Sequence, residues 1–309
     1  TGTTFVLTHT NADALQVTGL LVNEGLPAKL IQTNEGFNLY NLLEVRYFIE
    51  QLQLTENTYT ISDNNWNAAK RKLWDKFKNS TKIEICINMI KDFELSNPKN
   101  KYQSDIEVFI KESKLEDFVS ANGEMIFVST IHKAKGKEFD NVFIMLNGFN
   151  VRTDERKRQL YVAMTRAKQG LSIHLNGSYL DDIFCQDLVQ KTDDFTYNPA
   201  NILVLHLSHK DIWLDYFISK KVAISSFKSG DKLTADKDGC RDKDGNYVVK
   251  FSGKFKEEII KHESNGYMLT EAMINYIVYW QKKDMENEVK IILPELKFKK
   301  QEAPTVCHT

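Results

Sequence analysis

The alternation of apolar and polar positions divides the chain into three stretches. Phe5 to Thr8 is a short apolar run. From Asn11, a plausible helix N-cap, Ala14, Leu15, Gly19, Leu20 and Leu21 recur at helical spacing until Gly25 closes the segment. Ala28 to Ile31 is again strand-like, which gives strand, helix, strand, the unit of a parallel sheet. The spacing then predicts a helix from Leu39 to Leu54 and a small all-helical insert from Asn57 to Glu116, with Trp66, Leu73, Trp74, Phe77, Ile106, Phe109 and Ile110 as its apolar positions.

Beta character returns at MIFVST (Met125 to Thr130) and NVFIML (Asn141 to Leu146). A helix over Asp154 to Lys168 follows, then the strand LSIHL. This alternation predicts an α/β fold with a buried parallel sheet. TDDFTYNPAN, polar and holding Pro199, predicts a linker. Beyond it ILVLHL, KVAISSF, DKLTA, NYVVKF and VKIILPEL read as strands, with helices over His209 to Ser219, Lys254 to Glu263 and Thr270 to Gln281. The turn signals SGD, KDG and DGN suggest a small twisted sheet or partial barrel, so the third stretch is a smaller mixed α+β module.

Composition narrows the classes without choosing among them. At 309 residues, with 42% hydrophobic and 27% charged side chains, the chain is an ordinary globular one of two or three domains. Its 41 Lys and Arg nearly balance 42 Asp and Glu, so any nucleic-acid surface must be a local patch. Cys86, Cys185, Cys240 and Cys307 have no metal-ligand spacing. That argues for reduced, cytoplasmic usage and against a zinc site. No apolar run reaches membrane-span length and no secretory signal is seen, so no membrane partner is expected. The chain starts TGTTFVLTHTN without a methionine, as an excised piece of a longer protein would.

Chemistry concentrates in two segments. Ser129-Thr130-Ile131-His132-Lys133-Ala134-Lys135-Gly136-Lys137-Glu138-Phe139 lies between two buried strands. Hydroxyls, an imidazole and lysines at the end of a parallel strand suit an anion such as a phosphate backbone, although a solvated lysine-rich loop would look much the same. The helical segment Lys157 to Lys168 places Arg166 close to its C-terminus, where a cation also complements the helix dipole.

Together, STIHKAKGKEFDNVFIM and RQLYVAMTRAK closely resemble motifs V and VI of the UvrD, Rep and PcrA helicases of superfamily one. FVLTHTNADALQVTGLLVNEGLPAKLI resembles the family's motif IV strand and helix, and NLLEVRYFIEQL the helix after it. The resemblance implies that residues 1–54 and 121–190 form the second RecA-like domain of an ATP-dependent DNA helicase, with 55–120 a short helical insert and 201–300 an accessory module. Arg166 then matches the motif VI arginine finger, and Glu138 the motif V acid on the nucleotide ribose, with a plain surface glutamate as the alternative. Thr130, His132 and Lys133 match positions that contact single-stranded DNA, while Lys135 and Gly136 shape the loop. Where the family has a motif IV arginine reaching the γ-phosphate this chain has His9, either a weak ATP ligand when protonated or a packing residue. Tyr161 is expected in the core.

No GxxxxGK[ST] loop occurs in these residues. ATP and Mg²⁺ would therefore be held mainly by an N-terminal RecA-like domain outside this stretch, and the fragment is expected to be inactive alone. The alternative is a non-motor nucleic-acid or partner-binding module with a degenerate RecA-like fold. Backbone contacts carry no base information, so DNA over RNA rests on the resemblance alone. In the C-terminal module, Trp213, Tyr216, Phe217, Tyr276, Tyr279 and Trp280 either stack bases or form core, and the module could recruit a protein partner or touch duplex DNA.

Overall fold

The computed structural model describes residues 2–31, 38–54, 59–118, 125–134, 136–192, 194, 196–219, 224 and 226–301. The chain forms two compact units, residues 1–33 with 121–204, and residues 34–120 with 205–309. No helix among the described residues is long and apolar enough to cross a membrane.

In the first unit, β1 (Thr4–Thr8) is followed by α1 (Asn11–Asn23) and β2 (Ala28–Leu30). After the intervening stretch come β5 (Ile126–Thr130), β6 (Phe139–Leu146), α6 (Asp154–Met164) and β7 (Ala167–Leu175). The strands make one parallel sheet in the order β2-β5-β1-β6-β7. Thr8 is level with Thr130 on one side and with Met145 on the other, so β1 is central and the carboxyl ends of three strands share one edge. Phe5, Leu7, Val142, Ile144, Leu146, Leu160 and Ala163 fill the core between sheet and helix. A parallel sheet of this kind is what the alternating strand and helix pattern predicts, because each crossover helix must bury its apolar stripe on the sheet.

Two boundaries differ from expectation. The N-cap of α1 is Thr10, whose Oγ1 accepts from Asp13 N–H at 3.0 Å, and Asn11 is already helical. α6 ends at Met164, so Arg166 lies in the turn before β7 and not in the helix. Tyr161, expected in the core, is 69% exposed, because Leu160 and Ala163 are the α6 positions that face the sheet.

In the second unit a 3-10 turn at Leu39–Asn41 leads into α2 (Leu43–Gln51). α3 (Asp63–Phe77), α4 (Ile83–Ser96) and α5 (Gln103–Glu112) follow, with the short strands β3 (Thr60–Ile61) and β4 (Lys101–Tyr102) paired antiparallel beside them. β8 (Ile202–His206), β9 (Lys232–Asp236), β10 (Gly239–Arg241), β11 (Tyr247–Lys250), α7 (Gly253–Ser264), β12 (Tyr267–Trp280) and β13 (Val289–Lys300) complete the chain. Their strands form a sheet in the order β11-β10-β9-β12-β13-β8. Gly245, at φ +82°, supplies the left-handed turn between β10 and β11.

Two expectations in this unit are corrected. Thr270 to Gln281, predicted helical, is the body of β12. Ile274, Asn275, Tyr276, Ile277 and Val278 are all buried, so both faces are covered and the alternation that marks a strand is absent. His209 to Ser219 is not one helix but two 3-10 turns, His209–Asp211 and Leu214–Ser219. They are interrupted where Ile212 bridges to Phe251 in extended conformation. The KVAISSF strand falls largely outside the described residues.

Residues 38–54, expected with the parallel sheet, pack in the second unit, where Leu42 bridges to Val278 of β12. Leu39, Leu42, Val45 and Phe48 are buried, and Phe48 meets Trp66 edge-on at 5.2 Å. A polar clasp joins the same parts. Glu44 Oε1 accepts from Ser80 Oγ at 2.6 Å and from Ser229 Oγ at 3.1 Å, fully buried. Burial raises the Glu44 pKa, and its Oε2 has no hydrogen-bond partner among the described residues. A carboxyl in this setting favours its neutral form.

Candidate nucleotide and single-strand site

Parallel register brings residues far apart in sequence to one edge of the first sheet. His9 follows β1 directly, and Ile131 to Ala134 form a 3-10 turn directly after β5. α6 starts at the same edge, capped by Thr153, whose Oγ1 accepts from Arg156 N–H at 3.3 Å. Asp154 and Glu155 in its first turn suit the positive end of the helix dipole.

Arg156 reaches across to His9, its Nη1 lying 3.0 Å from Nδ1. The same guanidinium lies over the Phe149 ring at 5.2 Å, and His9 meets that ring edge-on at 5.1 Å. One turn further along α6, Gln159 Nε2 lies 3.4 Å from His132 Nε2. Lys133 Nζ donates to Asn11 Oδ1 at 3.2 Å. Burial, and then the neighbouring Arg156 charge, hold the His9 pKa below the ordinary histidine value. His9 is therefore neutral at pH 7, and Arg156 carries the positive charge of the pair.

The predicted residues divide between two edges. His9, Thr130, His132 and Lys133 lie at the carboxyl edge, where His132 is exposed and Thr130 is 6% exposed. Glu138 and Arg166 lie at the opposite edge, where β6 and β7 begin and Phe139 pairs with Ala167. Phe139 is six residues before Met145, which is level with Thr8, so the two edges are roughly 20 Å apart at about 3.3 Å per residue. α6 spans that distance, with Arg156 and Gln159 near its start and Arg166 beyond its end. Gly136, at φ +83°, takes the left-handed conformation in the segment that returns from β5 to the start of β6; Lys135 lies outside the described residues.

At the amino edge the Arg166 guanidinium is oriented by three hydrogen bonds. Nε donates to Val162 O at 2.9 Å, Nη1 to Lys137 O at 3.1 Å and Nη2 to Thr165 Oγ1 at 3.2 Å. A guanidinium has five N–H donors, so Nη1 and Nη2 each retain one for an incoming acceptor. Glu138 is exposed, with Lys168 Nζ 3.9 Å from its carboxylate. Asp140 accepts from Thr3 N–H at 2.7 Å and from Thr3 Oγ1 at 3.1 Å, contacts that lower its pKa. A fixed cation beside exposed carboxylate suits a ligand with both a phosphate and hydroxyl groups.

Sequence reasoning missed Arg156, Gln159, Asn11 and Phe149. Arg156 stands in a run of charges, Asp154 to Arg158, that reads as an ordinary solvated helix start. Only its contact with His9, 147 positions away, distinguishes it.

No curated protein matches the chain. Residues 58–178 match the family model described as the UvrD-like helicase C-terminal domain. That stretch holds the helices α3 to α5, the strands β5 to β7 and both motif-like segments. Over residues 58–178 the chain is therefore similar to the C-terminal domain of UvrD-like helicases.

Proposed function

We propose that this chain supplies the second RecA-like half of an ATP-dependent DNA translocase, with its two sheet edges divided between nucleotide and single strand. At the amino edge Arg166 acts as the arginine finger on the γ-phosphate of ATP, and Glu138 accepts from the ribose. ATP and Mg²⁺ are held mainly by an N-terminal RecA-like domain outside these residues, and the chain alone is inactive. At the carboxyl edge His132 and Lys133, with Arg156, Gln159 and His9, hold the backbone of single-stranded DNA. His9 thus goes with the strand and not with ATP, because it lies beside Arg156 and within the influence of His132, at the opposite edge from Arg166.

The observation that carries this reading is the Arg166 guanidinium, oriented by three hydrogen bonds with two N–H groups to spare, inside the family-matched stretch. A preorganised cation stabilises developing negative charge without reorganising at the moment of reaction, and a bidentate guanidinium fits phosphate oxygens. The test is DNA-stimulated ATP turnover of the full-length protein carrying Arg166→Ala. Near-complete loss with single-strand binding intact is expected; retained turnover would sink the motor reading and favour a binding module without motor action.

A further inference from the structure

The aromatic stripe of the C-terminal module does not behave as one body. Phe217 and Tyr276 are core residues. Trp213, by contrast, is 56% exposed, and Trp280 is half-buried at the end of β12. These two indoles line one open groove of about 630 Å³, together with Lys210, Lys256 and Lys282, and with Ile212 and Phe251 as buried residues of its wall.

The tryptophan at the mouth is held in place. Trp213 N–H donates to Lys250 O at 2.8 Å and its carbonyl accepts from Tyr216 N–H at 3.2 Å. Its ring lies 6.2 Å from that of Tyr216, whose hydroxyl donates to Tyr247 O at 2.7 Å. With its backbone fixed, Trp213 presents an exposed indole face that suits stacking.

The groove's charge is cationic. Its lining has three lysines and one carboxylate, Asp215, which pairs with Lys282 at 2.8 Å. Lys256 pairs with Asp238 at 2.7 Å, and Lys210 makes no ion pair among the described residues. Pairs exposed to this degree are individually weak, so a phosphate can replace the carboxylate in either. Indole faces interleaved with ammonium groups match the alternation of base and phosphate along a single strand.

We propose that this groove is a second binding site for single-stranded DNA, with bases stacked on Trp213 and Trp280 and phosphates on Lys210, Lys256 and Lys282. It deepens the proposed function, resting on the reading of the chain as a single-strand translocase, and assigns the C-terminal module a base-stacking role in addition to the backbone contacts proposed for the parallel sheet.

The test uses the whole chain with Trp74→Phe, which removes the other exposed indole. A 15-nucleotide oligo-dT is the probe, read by anisotropy and by quenching of indole fluorescence. His132→Ala with Arg156→Ala removes the contact proposed at the parallel sheet. In that background Trp213→Ala should weaken the remaining affinity roughly tenfold or more, while Trp213→Phe should keep much of the affinity; both variants lose most of the quenching, because both remove the reporting indole. Lys210→Glu should weaken binding without abolishing quenching.

Unchanged affinity and quenching in Trp213→Ala would overturn the proposal. So would equal affinity for an abasic 15-mer, since phosphates alone would then account for binding. Quenching by a proline-rich peptide with none by oligo-dT would make the groove a peptide site and overturn it too. If Trp213→Ala acts as expected but His132→Ala with Arg156→Ala changes nothing, the groove stands and the single-strand reading of the parallel sheet falls.

Discussion

The two edges of the parallel sheet are built on different plans. At the carboxyl edge several donors approach from separate segments, His9 after β1, His132 and Lys133 after β5, Arg156 and Gln159 on α6, and they touch one another in single contacts. At the amino edge one guanidinium is gripped by three acceptors, two of them backbone carbonyls. A distributed set of donors suits a long polyanion that must be held and released, because each contact adds a small, salt-sensitive increment. A single gripped cation suits one reacting group at one fixed point. The same helix serves both plans, with the interaction partners at its start and the gripped arginine after its end.

The difference can be broken by substitution. Arg166→Ala in the full-length protein should lower ATP turnover by about 10³-fold or more, and Arg166→Lys should not restore it, since an ammonium lacks the planar fork. Single-strand affinity, measured by anisotropy, should stay within about twofold of wild type; a comparable loss there would mean the edges are not separate. His132→Ala with Arg156→Ala should do the reverse. Single-strand affinity falls roughly ten- to a hundredfold and the salt dependence flattens by about one contact's worth, while turnover at saturating DNA persists.

Glu138→Gln should raise the KM for ATP about fivefold, with kcat little changed, if the carboxylate accepts one ribose hydrogen bond. An unchanged KM would return Glu138 to the solvated surface. The smallest effect concerns His9. Its folded-state pKa lies below the ordinary value, so protonation comes late on acidification and adds a cation to the carboxyl edge. Single-strand affinity should therefore rise as pH falls below about 6.5, and His9→Asn should remove that component. Linkage runs the other way for stability: the unfolded chain takes up this proton more readily, so the fold weakens slightly over the same range, and His9→Asn relieves the loss.

Much of the first unit was legible because its signals are local. Strands such as Val142 to Leu146 are apolar runs bounded by polar turns, and the segments around His132 and Arg166 carry their chemistry in consecutive residues. Arg156 was not legible, since a charged residue in the first turn of a helix acquires meaning only through a partner on another strand. β12 was misread for a related reason. Burial on both faces erases periodicity, and a run such as Ile274 to Val278 fits a covered strand and a covered helix equally well. The placement of α2 failed differently: its apolar residues are plain, but nothing local says that Leu42 bridges to Val278.

The Glu44 clasp has a consequence in time. Ser229 follows Glu44 by 185 positions, which at about 5–20 residues per second means roughly 10–40 s of synthesis between the two. During that interval α2 to α5 have been made but β9, β12 and β13 have not, and the surface around Leu42 and Glu44 lacks its cover. The five described strands of the parallel sheet are all made once β7 is made, whereas the helices encoded inside it still lack β9, β12 and β13 at that point. The unit whose sequence is interrupted can therefore finish folding first, and the helices that interrupt it are left waiting for the C-terminus.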